Sequence, residues 1–105
     1  MPFSSDLDNV DYPTYTTGQA AELLGVQQAF LHSLDTANLL RPHRSDGGHR
    51  RYSRRQLDRA ARIRTLFDEG HSLAATARII ELQDELTATQ AELAELRSRL
   101  GPERV

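Results

Sequence analysis

Apolar positions recur at helical spacing in several short blocks, and polar turn residues separate them. Over 16–24 (TTGQAAELL), Ala20, Ala21, Leu23 and Leu24 fall on one face. Thr16 or Thr17 can cap this helix, and Gly25 stops it. A second helix is predicted over 27–36, with Phe30, Leu31 and Leu34 as its stripe and Asn38 as its end. Two short helices joined at Gly25 make a helix-turn-helix pattern. Leu39-Leu40, Pro42 and the turn Ser45-Asp46-Gly47-Gly48 are followed by Arg50-Arg51-Tyr52, which predicts a small hairpin that must lean on the helices. Ser53 caps a third helix running to about Glu69, with Leu57, Ala60, Ala61, Ile63, Leu66 and Phe67 on its apolar face. Ser72 opens a further one, with Leu73, Ala77, Ile79 and Ile80 apolar.

From residue 79 the period becomes a heptad. Ile79, Leu86, Leu93 and Leu100 take one repeat position, and Leu82, Thr89 and Leu96 the other. An isolated helix with such a stripe is unstable in water unless the stripe is covered, and pairing with a second copy is the expected cover. Asp84 could begin a fresh helix after a break near Leu82, so one long helix and two shorter ones are both open. The expected fold class is mainly α: a winged helix-turn-helix domain over 14–82 with a small β-hairpin wing, then a C-terminal dimerisation helix (a coiled coil) over 83–100. Residues 1–13 read as a disordered acidic tail, with Pro13 setting an extended entry to the fold, and 101–105 as a short C-terminal tail.

Composition narrows the function classes. A chain of 105 residues offers little room for a large enzyme pocket. No apolar run reaches the roughly 18 residues of a membrane span, and no secretory signal pattern opens the chain. The absence of Cys excludes disulfides and thiolate chemistry and fits a cytoplasmic protein. His32, His43, His49 and His71 are scattered, with no metal spacing, nucleophile–base pair or phosphate-cradling glycine loop. No enzyme, metal or cofactor is expected.

The formal charge of −2 hides a strong asymmetry. All 13 basic residues are Arg. Residues 1–40 carry five acids and no Arg, 41–64 carry nine Arg and two acids, and 65–105 carry four Arg and eight acids. A cationic segment of planar, bidentate donors points to a polyanionic partner.

Several stretches together resemble the MerR family of transcription regulators: YTTGQAAELLGV (15–26), LHSLD (31–35), LLRPHR (39–44), GGHRRYS (47–53) and DEGHSLAATARIIEL (68–82). The chain is similar to short members that lack a C-terminal effector domain. The resemblance implies double-stranded DNA as partner, with the second helix in the major groove and the wing along the phosphate backbone. The implied DNA-binding residues are Thr17, Gln27, Gln28, Phe30, His32, Arg44, His49, Arg50, Arg51 and Tyr52. Phe30 is equally readable as core. Family members commonly carry Ser-Val at Gln27-Gln28 and Arg followed by an aromatic at His32-Ser33, so this chain's backbone grip is expected to shift towards the wing. The implied dimerisation residues are Ile79, Leu82, Leu86, Thr89, Leu93, Leu96 and Leu100. Antiparallel pairing follows from the resemblance alone, because the charges along the helix suit either direction. RNA polymerase at a promoter and a nucleoid location in the cytoplasm are further implications; many family members carry a sensory segment beyond the coil, and with neither Cys nor room for one, no small-molecule effector is expected here. Activation and repression are both compatible with the sequence. Two other classes compete: an excisionase-like architectural DNA binder, against which the leucine repeat argues, and a coiled-coil adaptor docking an acidic protein.

The heptad yields the first prediction. Leu93→Asp places a charge in the middle of the apolar seam and is expected to convert a dimer into a monomer in sedimentation, with little operator affinity left.

Overall fold

The computed structural model describes residues 9–101. Their order is β1 (Tyr15–Thr16), α1 (Thr17–Leu24), α2 (Gln28–Thr36), β2 (His43–Arg44), β3 (Arg50–Tyr52), α3 (Arg54–Asp68) and α4 (Leu73–Arg99). Each helix start has a local cause. Thr16 closes a reciprocal capping box with Gln19: the Gln19 N–H donates to the Thr16 hydroxyl at 3.1 Å, and the Thr16 N–H donates to the Gln19 side chain at 2.9 Å. Ser53 and Gln56 repeat the device at α3, at 3.1 and 3.0 Å. The Ser72 hydroxyl accepts from the Ala75 N–H at the start of α4. Gly25 ends α1 in the left-handed region (φ 68°), and the Val26 N–H returns to the Ala21 carbonyl. Asn38 ends the α2 segment in the same region (φ 61°), where Asn is among the side chains that tolerate it best, and the Leu39 N–H returns to the Leu34 carbonyl.

The wing is three-stranded rather than a simple hairpin. The strand order is β1-β3-β2, both pairs antiparallel, with Tyr15 opposite Tyr52, Thr16 opposite Arg51, His43 opposite Arg51 and Arg44 opposite Arg50. β1 was not expected, because two residues are too few to carry a period.

Ala20, Ala21, Leu31, Leu34, Leu39, Leu40, Tyr52, Ala60, Ile63 and Ile80 form one core. It draws on α1, α2, the wing, α3 and the start of α4. Each fully buried Leu or Ile contributes about 1.5–3 kcal/mol, so the wing is held by its seat in this core rather than by its few ladder bonds. Leu23, expected on the buried face of α1, is exposed.

α4 is continuous through Leu82 and Asp84, which settles the choice between one helix and two. Only its first turns pack on the domain: Thr76 and Ile80 are buried, and every residue from Glu81 to Leu100 is exposed. The radius of gyration, 17.1 Å, accordingly exceeds the roughly 13 Å of a compact globule of this length. The N-terminal expectation needs correction over 9–13. The Val10 carbonyl accepts the Arg55 N–H at 3.0 Å and the Arg55 guanidinium pairs with Asp11, so this stretch is tied to α3. Residues 1–8 and 102–105 of the two expected tails lie outside the described residues.

Asp84 joins α4 to α3 through Arg59 (2.7 Å) and Arg62 (3.2 Å). Partial burial alone would raise its carboxyl pKa, but hydrogen bonds and charge from the two Arg residues hold it below the ordinary 3.8. A depressed folded-state pKa gives stability that is present above the unfolded value and lost as pH falls through the folded one. Asp84→Asn is therefore expected to melt below the wild type at neutral pH, and the gap should close below about pH 4. Thermal melts across pH 2–7 check this, with a small gap expected because the pair is largely solvated.

Candidate nucleic-acid interface

An open groove of about 480 Å³ runs between the start of α1, α2 and the wing. Thr16, Thr17 and Gly18 form one end, Gln28 and His32 come from α2, and Arg44, Gly48, His49, Arg50 and Arg51 come from the wing. Seven of the ten residues implied by resemblance thus meet on one surface: Thr17, Gln28, His32, Arg44, His49, Arg50 and Arg51. They span 35 positions of sequence and are brought together by the seating of the wing on the core.

Strand alternation divides the wing's cations. Tyr52 enters the core, and Arg50, two residues earlier, leans inward towards α2. Its Nε lies 3.3 Å from the Asp35 carboxylate, and its NH1 lies 3.5 Å from His32 Nε2. Arg44 reaches the same carboxylate at 3.7 Å and donates to the Gly48 carbonyl at 3.0 Å. One acid on α2 therefore braces two wing guanidiniums. The sequence carries no signal of this role for Asp35, since no spacing rule links positions 35, 44 and 50. Arg51, between Arg50 and Tyr52 in the strand, also lines the groove, and among the described residues its side chain makes no hydrogen bond or ion pair.

Three of the implied residues are placed elsewhere. Tyr52 is fully buried, so its implied place among the DNA-binding residues does not hold. Burial pushes its phenol above the ordinary value, and the neighbouring Thr17 side chain and Arg50 charge oppose this only in part. The hydroxyl has no hydrogen-bond partner of ordinary geometry. Phe30 packs against the core and meets Phe67 edge-on, with centroids 5.9 Å apart and planes at 85°. Its core reading is the one the structure supports. Gln27 is exposed at the N-cap of α2, contributes no side-chain cap and does not line the groove.

The cationic segment as a whole is less available than its charge suggests. Arg55 pairs with Asp11, Arg59 and Arg62 with Asp84, and Arg64 with Asp68. Arg59 also donates to the Leu39 carbonyl at 2.9 Å. Arg64 donates to the Leu24 and Gly25 carbonyls at 2.6 and 3.1 Å, closing the C-terminus of α1 with a cation where the helix dipole favours one. The Arg41 guanidinium donates to the Asn38 side chain. These side chains join elements together, and the groove cations are Arg44, Arg50 and Arg51.

The groove, the three-stranded wing and the projecting α4 set the frame for comparison with known proteins. The model of the MerR HTH family regulatory proteins matches residues 15–83. The chain belongs to this family. This MerR-family chain is 38% identical over 91 residues to the HspR heat shock protein of Streptomyces coelicolor, an alignment covering 86% of the chain and 60% of that relative. It is 39% identical over 69 residues to the transcriptional activator TipA of the same organism, covering 65% of the chain and 27% of TipA. The chain thus spans under two thirds of these relatives' lengths. Among solved structures it is similar to HiNmlR, a MerR family regulator lacking the sensor domain, bound to promoter DNA. The TM-score is 0.61 and the identity 25%, over 82% of this chain and 77% of that one. A MerR family regulator from Bacillus cereus gives a TM-score of 0.59 at 25% identity, over 87% and 86% of the two chains. No described helix is long and apolar enough to cross a membrane.

The buried position of Tyr52 yields a prediction that separates core from contact. Tyr52→Phe removes an unpartnered buried hydroxyl and keeps the ring, so the melting temperature is expected to hold or rise slightly. Duplex binding measured alongside is expected to change by less than about twofold, because no bond to the hydroxyl is lost.

Proposed function

We propose that the chain is a sequence-specific, double-stranded-DNA-binding transcription regulator that acts as a homodimer on a palindrome-like promoter site. The observation that carries this reading is the groove, which gathers Gln28 and His32 of α2 beside Arg44, Arg50 and Arg51 of the wing. A helix of this size fits the major groove of B-DNA, and Gln28 is suited to the paired donor and acceptor of adenine. The wing guanidiniums suit phosphates, contacts that fix register and add affinity without reading sequence. The family match supports the reading, as does the promoter-bound state of HiNmlR. Dimerisation is supported by the stripe on α4: Leu82, Leu86, Leu93, Leu96 and Leu100 are all exposed, Leu100 by 82%, and Thr89 is exposed between them. Ile79, at the head of the repeat, is half-buried and belongs partly to the domain. Two copies joined through this stripe would present two reading helices, matching the two-fold symmetry of a palindrome. The reading assigns the protein a binding role rather than a catalytic one. It places the protein at the nucleoid with RNA polymerase as the neighbour at the promoter, and it leaves the sign of regulation to promoter footprinting coupled to expression measurement.

The division between grip and reading is testable by two substitutions on duplexes selected from a random pool. Arg51→Ala is expected to weaken binding to every duplex and to lower the slope of log affinity against log salt by about one unit. Gln28→Ala is expected to cost about 1–3 kcal/mol at the selected site and little elsewhere, relaxing preference at one position per half-site. Loss of base preference by the same amount in both variants would sink the assignment, and absence of duplex binding at physiological salt would sink the function.

A further inference from the structure

α4 leaves the domain at a polar clamp. Ile80 is its last buried residue. One turn further, the Asp84 carboxylate takes Arg59 NH1 at 2.7 Å and Arg62 NH2 at 3.2 Å, while the Gln83 side chain accepts from Arg62 at 2.8 and 3.3 Å. Arg59 donates at the same time through Nε to the Leu39 carbonyl, where the chain turns from α2 towards the wing. A single guanidinium thus joins the exit of α2, the side of α3 and the base of α4. Beyond Asp84, the one side-chain bond among the described residues is Arg99 to Glu95, within the helix itself. At 3.6 residues per turn, Thr76, Ile80, Gln83 and Asp84 lie on the side of α4 turned to α3, and Leu82, Leu86, Leu93 and Leu96 lie on a roughly opposite side.

We propose that Asp84, held by Arg59 and Arg62, is the positioning residue that sets the angle at which the leucine stripe leaves the reading domain, and through it the spacing of half-sites the dimer accepts. The inference rests on the dimeric DNA-binding reading above. Its physical basis is leverage. From Asp84 to Leu100 the helix runs about 24 Å. A swing of about 10° at the base moves the tip about 4 Å, more than the 3.4 Å rise of one base-pair step. Each added base pair also turns the half-site around the duplex axis, since about 10 base pairs make a full turn. A loose base would let the two reading domains follow such shifts, whereas a braced base holds them to one separation. Solvated ion pairs add little to stability, but two planar guanidiniums on one carboxylate define an orientation. The expected consequence therefore falls on spacing tolerance rather than on folding or on affinity for a single half-site.

The experiment uses the full chain and duplexes carrying two selected half-sites, with the centre shortened or lengthened by one to three base pairs. Dimerisation is followed by sedimentation in parallel. For the wild type, each two-base-pair change is expected to cost about tenfold or more in affinity, and for Asp84→Ala about threefold or less, with the dimer retained. Arg62→Met, which removes one arm of the clamp at a partly exposed position, is expected to broaden the profile in the same direction, and it carries the test should Asp84→Ala fold poorly. Asp84→Glu is expected to restore much of the narrow profile. A general loss of stability would lower affinity at every spacing and leave the profile's width unchanged. A dimeric variant series that keeps the wild-type width, or a wild type already tolerant of all spacings, overturns the clamp while leaving the DNA-binding reading intact. A wild type that sediments as a monomer and binds no duplex overturns that reading and the clamp with it.

Discussion

The three-residue strand β3 determines where the polar chemistry of this molecule can go. Tyr52 at its end is sealed in the core with Leu31, Leu34 and Ile63, so the strand cannot rotate or slide without opening that core. Alternation then sends Arg50 inward to Asp35 and leaves Arg51 without a partner among the described residues. A one-residue slip would exchange these roles and place a guanidinium in the core, at a cost far above that of any contact in the wing. The lone hydroxyl of Tyr52 is a minor concession within this arrangement, since the ring fills the space on which the sheet depends.

Arginine performs two physically different tasks here, and only geometry separates them. The guanidiniums of Arg59 and Arg64 reach backbone carbonyls at chain reversals, where an unsatisfied acceptor would otherwise face a half-buried surface. The planar fork lets each serve a carbonyl and a carboxylate together. Asp35 does the converse at the groove: it takes part of the charge of Arg44 and Arg50, and in return holds both over the same surface as His32 and Gln28. Groups ordered before an anion arrives lose less freedom when it binds, so the brace exchanges some raw charge for preorganisation.

Much of the fold was legible because its signals are local. The capping boxes at Thr16 and Ser53, the stop at Gly25, the Asn38 turn and the helical spacing of Leu57 through Phe67 each act within a few residues, and the helices lie within a residue or two of the expected bounds. The same reasoning failed where partners are distant. β1 exists because Tyr15 and Thr16 find β3, a pairing that two residues cannot announce. The resemblance implies Tyr52 as a DNA contact, while its burial depends on helices that close over it from elsewhere in the chain. Counting nine Arg in 24 residues identified a real concentration of charge, but pairing to Asp11, Asp68 and Asp84 is invisible in a count. Phe30 illustrates the same limit in reverse: spacing alone left core and contact equally open, and Phe67, far away in sequence, decides it.

α4 connects these observations, because it is the one element with two separate faces. Its first turns share the core through Thr76 and Ile80, and their side of the helix ends at Asp84; the leucine stripe continues on another side, where it is exposed among the described residues. A helix of roughly 16 residues beyond its last anchor would not hold its form alone in water on propensity, particularly with Leu exposed along its length. Its continuity to Arg99 with the stripe exposed is what the proposed pairing accounts for, and the heptad period suits another helix as the cover. The domain and the stripe are joined by one continuous rod, so whatever covers the stripe also dictates where the groove between α2 and the wing is aimed. Under the proposed reading, pairing through the stripe and aiming the groove become one geometric problem with its fulcrum at the contact between α3 and α4.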